Sequence, residues 1–288
     1  MKMKFPLLIA AVALTELAVA RAGAQNLFVS SYATNGAIYR YTSGGAQSVF
    51  YSGLNGPAGL AFDSAGNLFE ANVGDSAIYK YTPDGAQSIF ASDVGNPIGL
   101  AFDGAGNLFA SDETNNVIYK FTPGGTKSVF ATGLDFPTGL AFNGAGDLFV
   151  SDFNSGNIYE YTSGGVQSVF ASGLLNPDGL AFDSAGNLFV AANGNNSIVE
   201  ITPGGAQSVF AGGLDSPYFL AFDDAGNLFE ADNGSGNIYE FTPEGSQSTF
   251  ASDVTAPDGL AFQPVPEPSI LALAGIGAMA LFARRRQN

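Results

Sequence analysis

The chain has 288 residues, 46% hydrophobic and only 12% charged, with no cysteine and no histidine. That much apolar material builds a large core and excludes a disordered chain, while the missing residue types exclude disulfides, thiolate metal sites, a cysteine nucleophile and a histidine general base. Residues 25 to 262 hold 24 acids against four bases, Arg40, Lys80, Lys120 and Lys127, a net charge of −20; a surface this acidic repels phosphate backbones and excludes nucleic acid as a partner.

In chain order, Lys2 and Lys4 precede the apolar run FPLLIAAVAL and then ARAGA, with small residues Ala22 and Ala24 ahead of Gln25. Residues 1 to 24 resemble a secretory signal peptide, and Ala18 with Ala20 offers a second cut site.

The body, residues 25 to 263, repeats. NLF or DLF recurs at 26, 67, 107, 147, 187 and 227, an IYxY-like segment follows each, and a QSVF-like segment ends at Phe50, Phe90, Phe130, Phe170, Phe210 and Phe250. Each unit of about forty residues has four strand-like runs, GLAF, NLFx, IYxY and QSxF, separated by turn signals such as DSAGN and TPGGA, with no room for a helix. Four strands per such unit predict an all-β, six-bladed β-propeller of four-stranded blades. The first unit lacks a GLAF strand, and the last GLAF, residues 259 to 262, lacks a unit. Pairing of strand 259 to 262 with the N-terminal blade closes the ring and removes two exposed sheet edges. Eighteen of the 25 Phe fall at three recurring positions, the ends of GLAF, NLF and QSxF, and predict an aromatic layer between blades.

Units such as PAGLAFDSAGNLFEANVGDSAIYKYTPDG resemble NHL repeats and, more loosely, the blades of the SMP-30/gluconolactonase and streptogramin-lyase propellers. The resemblance covers residues 26 to 262 and implies the fold; propellers host binding modules and enzymes alike. Streptogramin-lyase chemistry needs a histidine base that the chain lacks.

After the body comes VPEPS, then an apolar run from Ile270 to Phe282 and a basic end. Residues 264 to 288 resemble a PEP-CTERM sorting signal, with Pro266, Glu267 and Pro268 as the motif, a short transmembrane segment, and Arg284, Arg285 and Arg286 as the retained basic side. The resemblance implies an exosortase-type enzyme as partner, a transient stop in the inner membrane, and release to the surface or exterior of a Gram-negative bacterium that makes exopolysaccharide.

The entry into GLAF and the loop between second and third strands share one face of such a propeller, and sequence variation is concentrated there. The residue before GL is Ala58, Ile98, Thr138, Asp178, Tyr218 and Asp258 in turn, and these six are expected to ring the mouth of the central channel. Third after the NLF phenylalanine come Ser31, Asn72, Asp112, Asp152, Ala192 and Asp232. Asp152, Asp178, Asp232 and Asp258 then fall on four consecutive blades. Such carboxylates raise one another's pKa unless a cation joins them, and without His or Cys a hard ion, Ca²⁺ before Mg²⁺, is the expected one. The SMP-30 resemblance implies metal ligands in the slot held here by Asp178 and Asp258, although the family's full set is not reproduced.

The ligand-binding residues expected at the mouth are therefore Thr138, Asp152, Asp178, Tyr218, Asp232 and Asp258; aromatics on that face, Tyr32, Phe136, Phe153 and Tyr218, could stack on sugars. By contrast, Asp63, Asp103, Asp183 and Asp223 open the AGN turns and read as turn residues. The third position of IYxY is basic in three units, Arg40, Lys80 and Lys120, and acidic in the others, Glu160, Glu200 and Glu240. That asymmetry fits either a solvated face or head-to-tail contacts between molecules. The expected function is that of an exported binding module for extracellular polysaccharide or an envelope protein, with no residue placed as a catalyst; the alternative is a metal-dependent lactonase-like hydrolase.

Overall fold

The structure is a computed structural model that describes residues 25 to 265. Twenty-four strands, numbered β1 to β24 in chain order, form six antiparallel four-stranded sheets among these residues. Blade 2 shows the pattern: β4 (Pro57–Phe62), β5 (Leu68–Asn72), β6 (Ala77–Tyr81) and β7 (Gln87–Ala91) run from the channel outward. Blades 3 to 6 repeat it over residues 97–132, 137–171, 177–212 and 217–251. The signal-like segment 1–24, the motif Pro266, Glu267 and Pro268, the apolar run and Arg284, Arg285 and Arg286 lie outside the described residues. Among the described residues no helix is long and apolar enough to cross a membrane.

Blade 1 closes the ring as the broken repeat requires. Its inner strand is β24 (Pro257–Phe262), paired with β1 (Leu27–Ser31) in the register Leu27↔Phe262, Phe28↔Ala261 and Val29↔Leu260; β2 (Thr34–Tyr41) and β3 (Gln47–Asn55) complete the sheet. The Gln263 amide donates to the Asn26 carbonyl at 2.9 Å, and Asn26 Nδ2 donates to Gln263 Oε1 at 3.0 Å. The first and last strands of the repeat, each of which would otherwise leave an unpaired edge, thus satisfy one another.

Turn chemistry recurs in blades 2 to 6, with Asn143 in place of the aspartate in blade 4. Asp63 Oδ1 accepts the amides of Ala65 (3.0 Å) and Asn67 (2.8 Å), and Asn67 Nδ2 donates to Asp63 Oδ2; Asp103, Asp183 and Asp223 do likewise. These are Asx turns, and Gly66 supplies the positive φ of +80° that closes the loop. Inner strands approach closely because GL places glycine there: a Cβ on Gly59 would strike the Ile98 carbonyl of the next blade, and one on Gly259 the Ala58 carbonyl.

Between blades sits the aromatic layer. Phe69 packs edge-on against Phe90 of its own blade and Phe102 of the next, both at 5.0 Å. The trio recurs across the closing seam as Phe229, Phe250 and Phe262, at 5.1 and 5.0 Å. Edge-to-face geometry sets positive ring edges against negative faces, and each buried ring contributes roughly 1.5–3 kcal/mol.

Candidate functional site at the channel mouth

The inner strands begin at proline, two residues before GL, so the slot before GL lies within the strand and not in the preceding loop. Its side chains are drawn into the structure. Thr138, Asp178 and Asp258 are 3%, 3% and 4% exposed, and Tyr218 is half-buried.

Asp178 and Asp258 stand on blades 5 and 1, with Tyr218 on the blade between them. Each has one carboxylate oxygen, Oδ1, that is buried and has no hydrogen-bond partner. Leaving such an oxygen unsatisfied is costly, and the cost appears as a shift toward the neutral acid. Burial pushes Asp178 up to about 7, opposed by a hydrogen bond from Thr138 and aided by the Glu113 charge. Asp258 goes well above the ordinary carboxylate range through burial, then the charges of Asp178 and Glu113. Burial followed by the charges of Asp178 and Asp258 lifts the Tyr218 phenol to about 12, and Tyr32 is raised by burial, Glu113 and Asp258. Three acids and two phenols therefore share one electrostatic neighbourhood.

Asp152 and Asp232 are differently engaged. Asp152 accepts the amides of Asp135 (2.8 Å) and Ser155 (3.3 Å), and Asp232 those of Asp215 (2.8 Å) and Ser235 (3.1 Å). Their carboxylates knit the loops of their own blades, and the structure does not bring them to the Asp178–Asp258 pair. Phe136 and Phe153 pack on each other at 5.6 Å, whereas Tyr32 stays 41% exposed on the mouth face.

Glu113 is the member that sequence reasoning missed. It follows Asp112, where other units have Tyr32, Val73, Phe153, Asn193 and Asn233, and being the lone acid at that repeat position was the signal available. Asn96 Nδ2 donates to its Oε1 at 3.0 Å.

Hard oxygen donors with unpartnered lone pairs suit a cation of the Ca²⁺ type in chemistry but not in number. Ca²⁺ takes six to eight oxygens, and among the described residues no three carboxylates gather closely enough to hold an ion.

Residues 97–211 match the family described as the SMP-30/Gluconolactonase/LRE-like region, and residues 264–287 match the PEP-CTERM protein-sorting motif. No curated protein matches the chain. Among solved structures, a chain of the nidogen/laminin complex is similar at 21% identity and TM-score 0.77, over 85% of this chain and all of that one. A structure assigned as a gluconolactonase has 18% identity and TM-score 0.64 over 72% and 81%. Virginiamycin B lyase from Staphylococcus aureus has 18% and 0.60 over 70% and 73%. At these identities the likeness is one of fold.

Proposed function

We propose that this exported propeller, carrying an SMP-30/gluconolactonase-like region and a PEP-CTERM motif, is a binding module of the cell surface or extracellular matrix whose channel mouth takes polysaccharide or an envelope protein. The observation that carries this reading is the pair of buried, unpartnered oxygens of Asp178 and Asp258 beside Tyr218. Such a mouth calls for a ligand that brings donors or positive charge, and the half-exposed Tyr32 and Tyr218 offer faces on which a sugar ring can stack. Ca²⁺ bound by Asp178 and Asp258 would complete its coordination from ligand hydroxyls and water. The sorting motif supports an exosortase-type enzyme as processing partner and an inner-membrane intermediate before release from a Gram-negative cell.

A lactonase-like hydrolase is the second reading, favoured by Asp178 falling inside the SMP-30-like region. The two are separated by one pair of assays on residues 25 to 265. Cosedimentation with the producer's extracellular polysaccharide, lost in Asp178→Ala/Asp258→Ala and without lactone turnover, supports the binding module. Metal-dependent lactone hydrolysis lost in the same variant replaces it with the enzyme, and neither activity removes the mouth as a site.

A further inference from the structure

The third position of IYxY, the last but one residue of each blade's third strand, divides the ring's opposite face, that of the AGN turns. On blade 2 the Lys80 ammonium lies 5.3 Å from the Phe69 ring centroid and 3.8 Å from Asp63 Oδ2. On blade 3, Lys120 repeats this at 5.0 Å from Phe109 and 3.6 Å from Asp103 Oδ2. A ring face beside a carboxylate is thus a seat for an ammonium, and the chain fills that seat twice with its own lysines.

Blades 5 and 6 keep the ring and the turn acid, Phe189 with Asp183 and Phe229 with Asp223, but have Glu200 and Glu240 where the lysines stand. Blade 4 keeps Phe149 and has Asn143 and Glu160. At these places clefts of about 320, 440 and 340 Å³ open between blades 4 and 5, 5 and 6, and 6 and 1. Each is lined by an aromatic trio and a Glu; the largest, between blades 5 and 6, adds Asp183, Asp223 and Asp224. Burial and the Asp223 charge raise the Glu240 carboxyl, a repulsion that a cation relieves.

We propose that the clefts bordered by Glu160, Glu200 and Glu240 seat the primary ammonium groups of an aliphatic polyamine, as Phe69 and Asp63 seat Lys80. Anions are repelled by both the rings and the acids, and a neutral ligand gains no pairing. The aromatic rings within each cleft suit a methylene stem. Single contacts of this kind are weak, and linking several ammoniums raises the overall affinity through effective concentration. The proposal concerns the face opposite the mouth and stands apart from the function assigned there.

The test is a calorimetric or NMR titration of spermidine into residues 25 to 265, the closed ring with all twenty-four described strands. The Glu200→Lys/Glu240→Lys variant rebuilds the lysine seats of blades 2 and 3 and is expected to bind at least ten-fold more weakly than wild type. Asp75→Lys/Asp135→Lys makes the same change in net charge on the mouth face and is expected to leave the affinity within two-fold. Should the lysine variant misfold, Glu200→Gln/Glu240→Gln takes its place with the same expected loss. No saturable binding by wild type, undiminished binding by the cleft variant, or equal losses in cleft and control variants would each overturn the proposal.

Discussion

Glu70 and Glu230 hold the same position on the second strands of blades 2 and 6, and only Glu70 has partners. Asn72 Nδ2 donates to Glu70 Oε1 at 3.0 Å and the Tyr81 hydroxyl donates to Oε2 at 3.2 Å. In blade 6 those donors are replaced by Asp232 and Phe241, and both oxygens of Glu230 are buried without a partner. Burial first, then the Asp232 charge, drives Glu230 well above the ordinary glutamate range, whereas Glu70 is raised to about 8 by burial against the pull of its two hydrogen bonds.

Glu230→Val restores the residue type that blades 1, 4 and 5 carry at this position, Val29, Val150 and Val190. It should stabilise the protein at pH 7 by about 2–4 kcal/mol, since the folded state no longer holds a proton that the unfolded state releases. Phe241→Tyr, supplying the donor that Tyr81 gives Glu70, should recover about 1 kcal/mol. Urea titrations of the three proteins check both values.

Stability should decline as pH rises from about 5 to 8, by at least about 2 kcal/mol. Asp178, Asp258, Glu70 and Glu230 all have raised values in the fold. Their protonated forms favour folding fully below the unfolded carboxylate range, and that advantage fades as pH passes through the folded values. Turn acids act oppositely at lower pH. Against burial, hydrogen bonds from Asn107 and Ala105 and the Lys120 charge hold Asp103 below its ordinary value, so its contribution is lost as pH falls. Denaturation midpoints across pH 3 to 9 should therefore peak in mild acid.

The Tyr218 phenol reports the mouth charges. In Asp178→Asn/Asp258→Asn it should ionise at a lower pH than in wild type and still above an ordinary tyrosine, because burial, its largest cause, remains. Phenolate absorbance during alkaline titration, compared with a Tyr218→Phe control, isolates the signal.

The inner strands lie too close for a side chain at the GL glycines, the closing seam included, and the aromatic trios fill the space between blades. Gly259→Ala places a methyl against the Ala58 backbone, and should cost about 1–3 kcal/mol, while Phe189→Ala, removing the centre of an aromatic trio at 5.0 and 5.1 Å, should cost about 3–5 kcal/mol. Thermal unfolding followed by circular dichroism distinguishes these from a surface control such as Asp84→Ala.

The fold was legible because its information is repeated. A forty-residue period, turn residues at fixed offsets and one displaced GLAF strand together determine blade count and closure. The mouth was only partly legible. Asp178 and Asp258 stand out as acids in a slot that otherwise holds Ala58, Ile98, Thr138 and Tyr218, but Asp152 and Asp232 look equally exposed as sequence. Whether a carboxylate at a strand end meets the channel or the amides of a neighbouring loop depends on local turn geometry, which the loops around Asp135 and Asp215 decide. Glu113 was hidden beside Asp112, and the isolation of Glu230 required knowing that Phe241 and Asp232 surround it.

The most direct test of the mouth as a binding site is calorimetric titration of Ca²⁺ into residues 25 to 265 saturated with the producer's extracellular polysaccharide, whose hydroxyls complete the coordination that the two carboxylates begin, beside Asp178→Asn/Asp258→Asn. The account predicts one saturable ion per wild-type molecule and none for the variant. No saturable heat with wild type, or binding that persists unchanged in the variant, would contradict it.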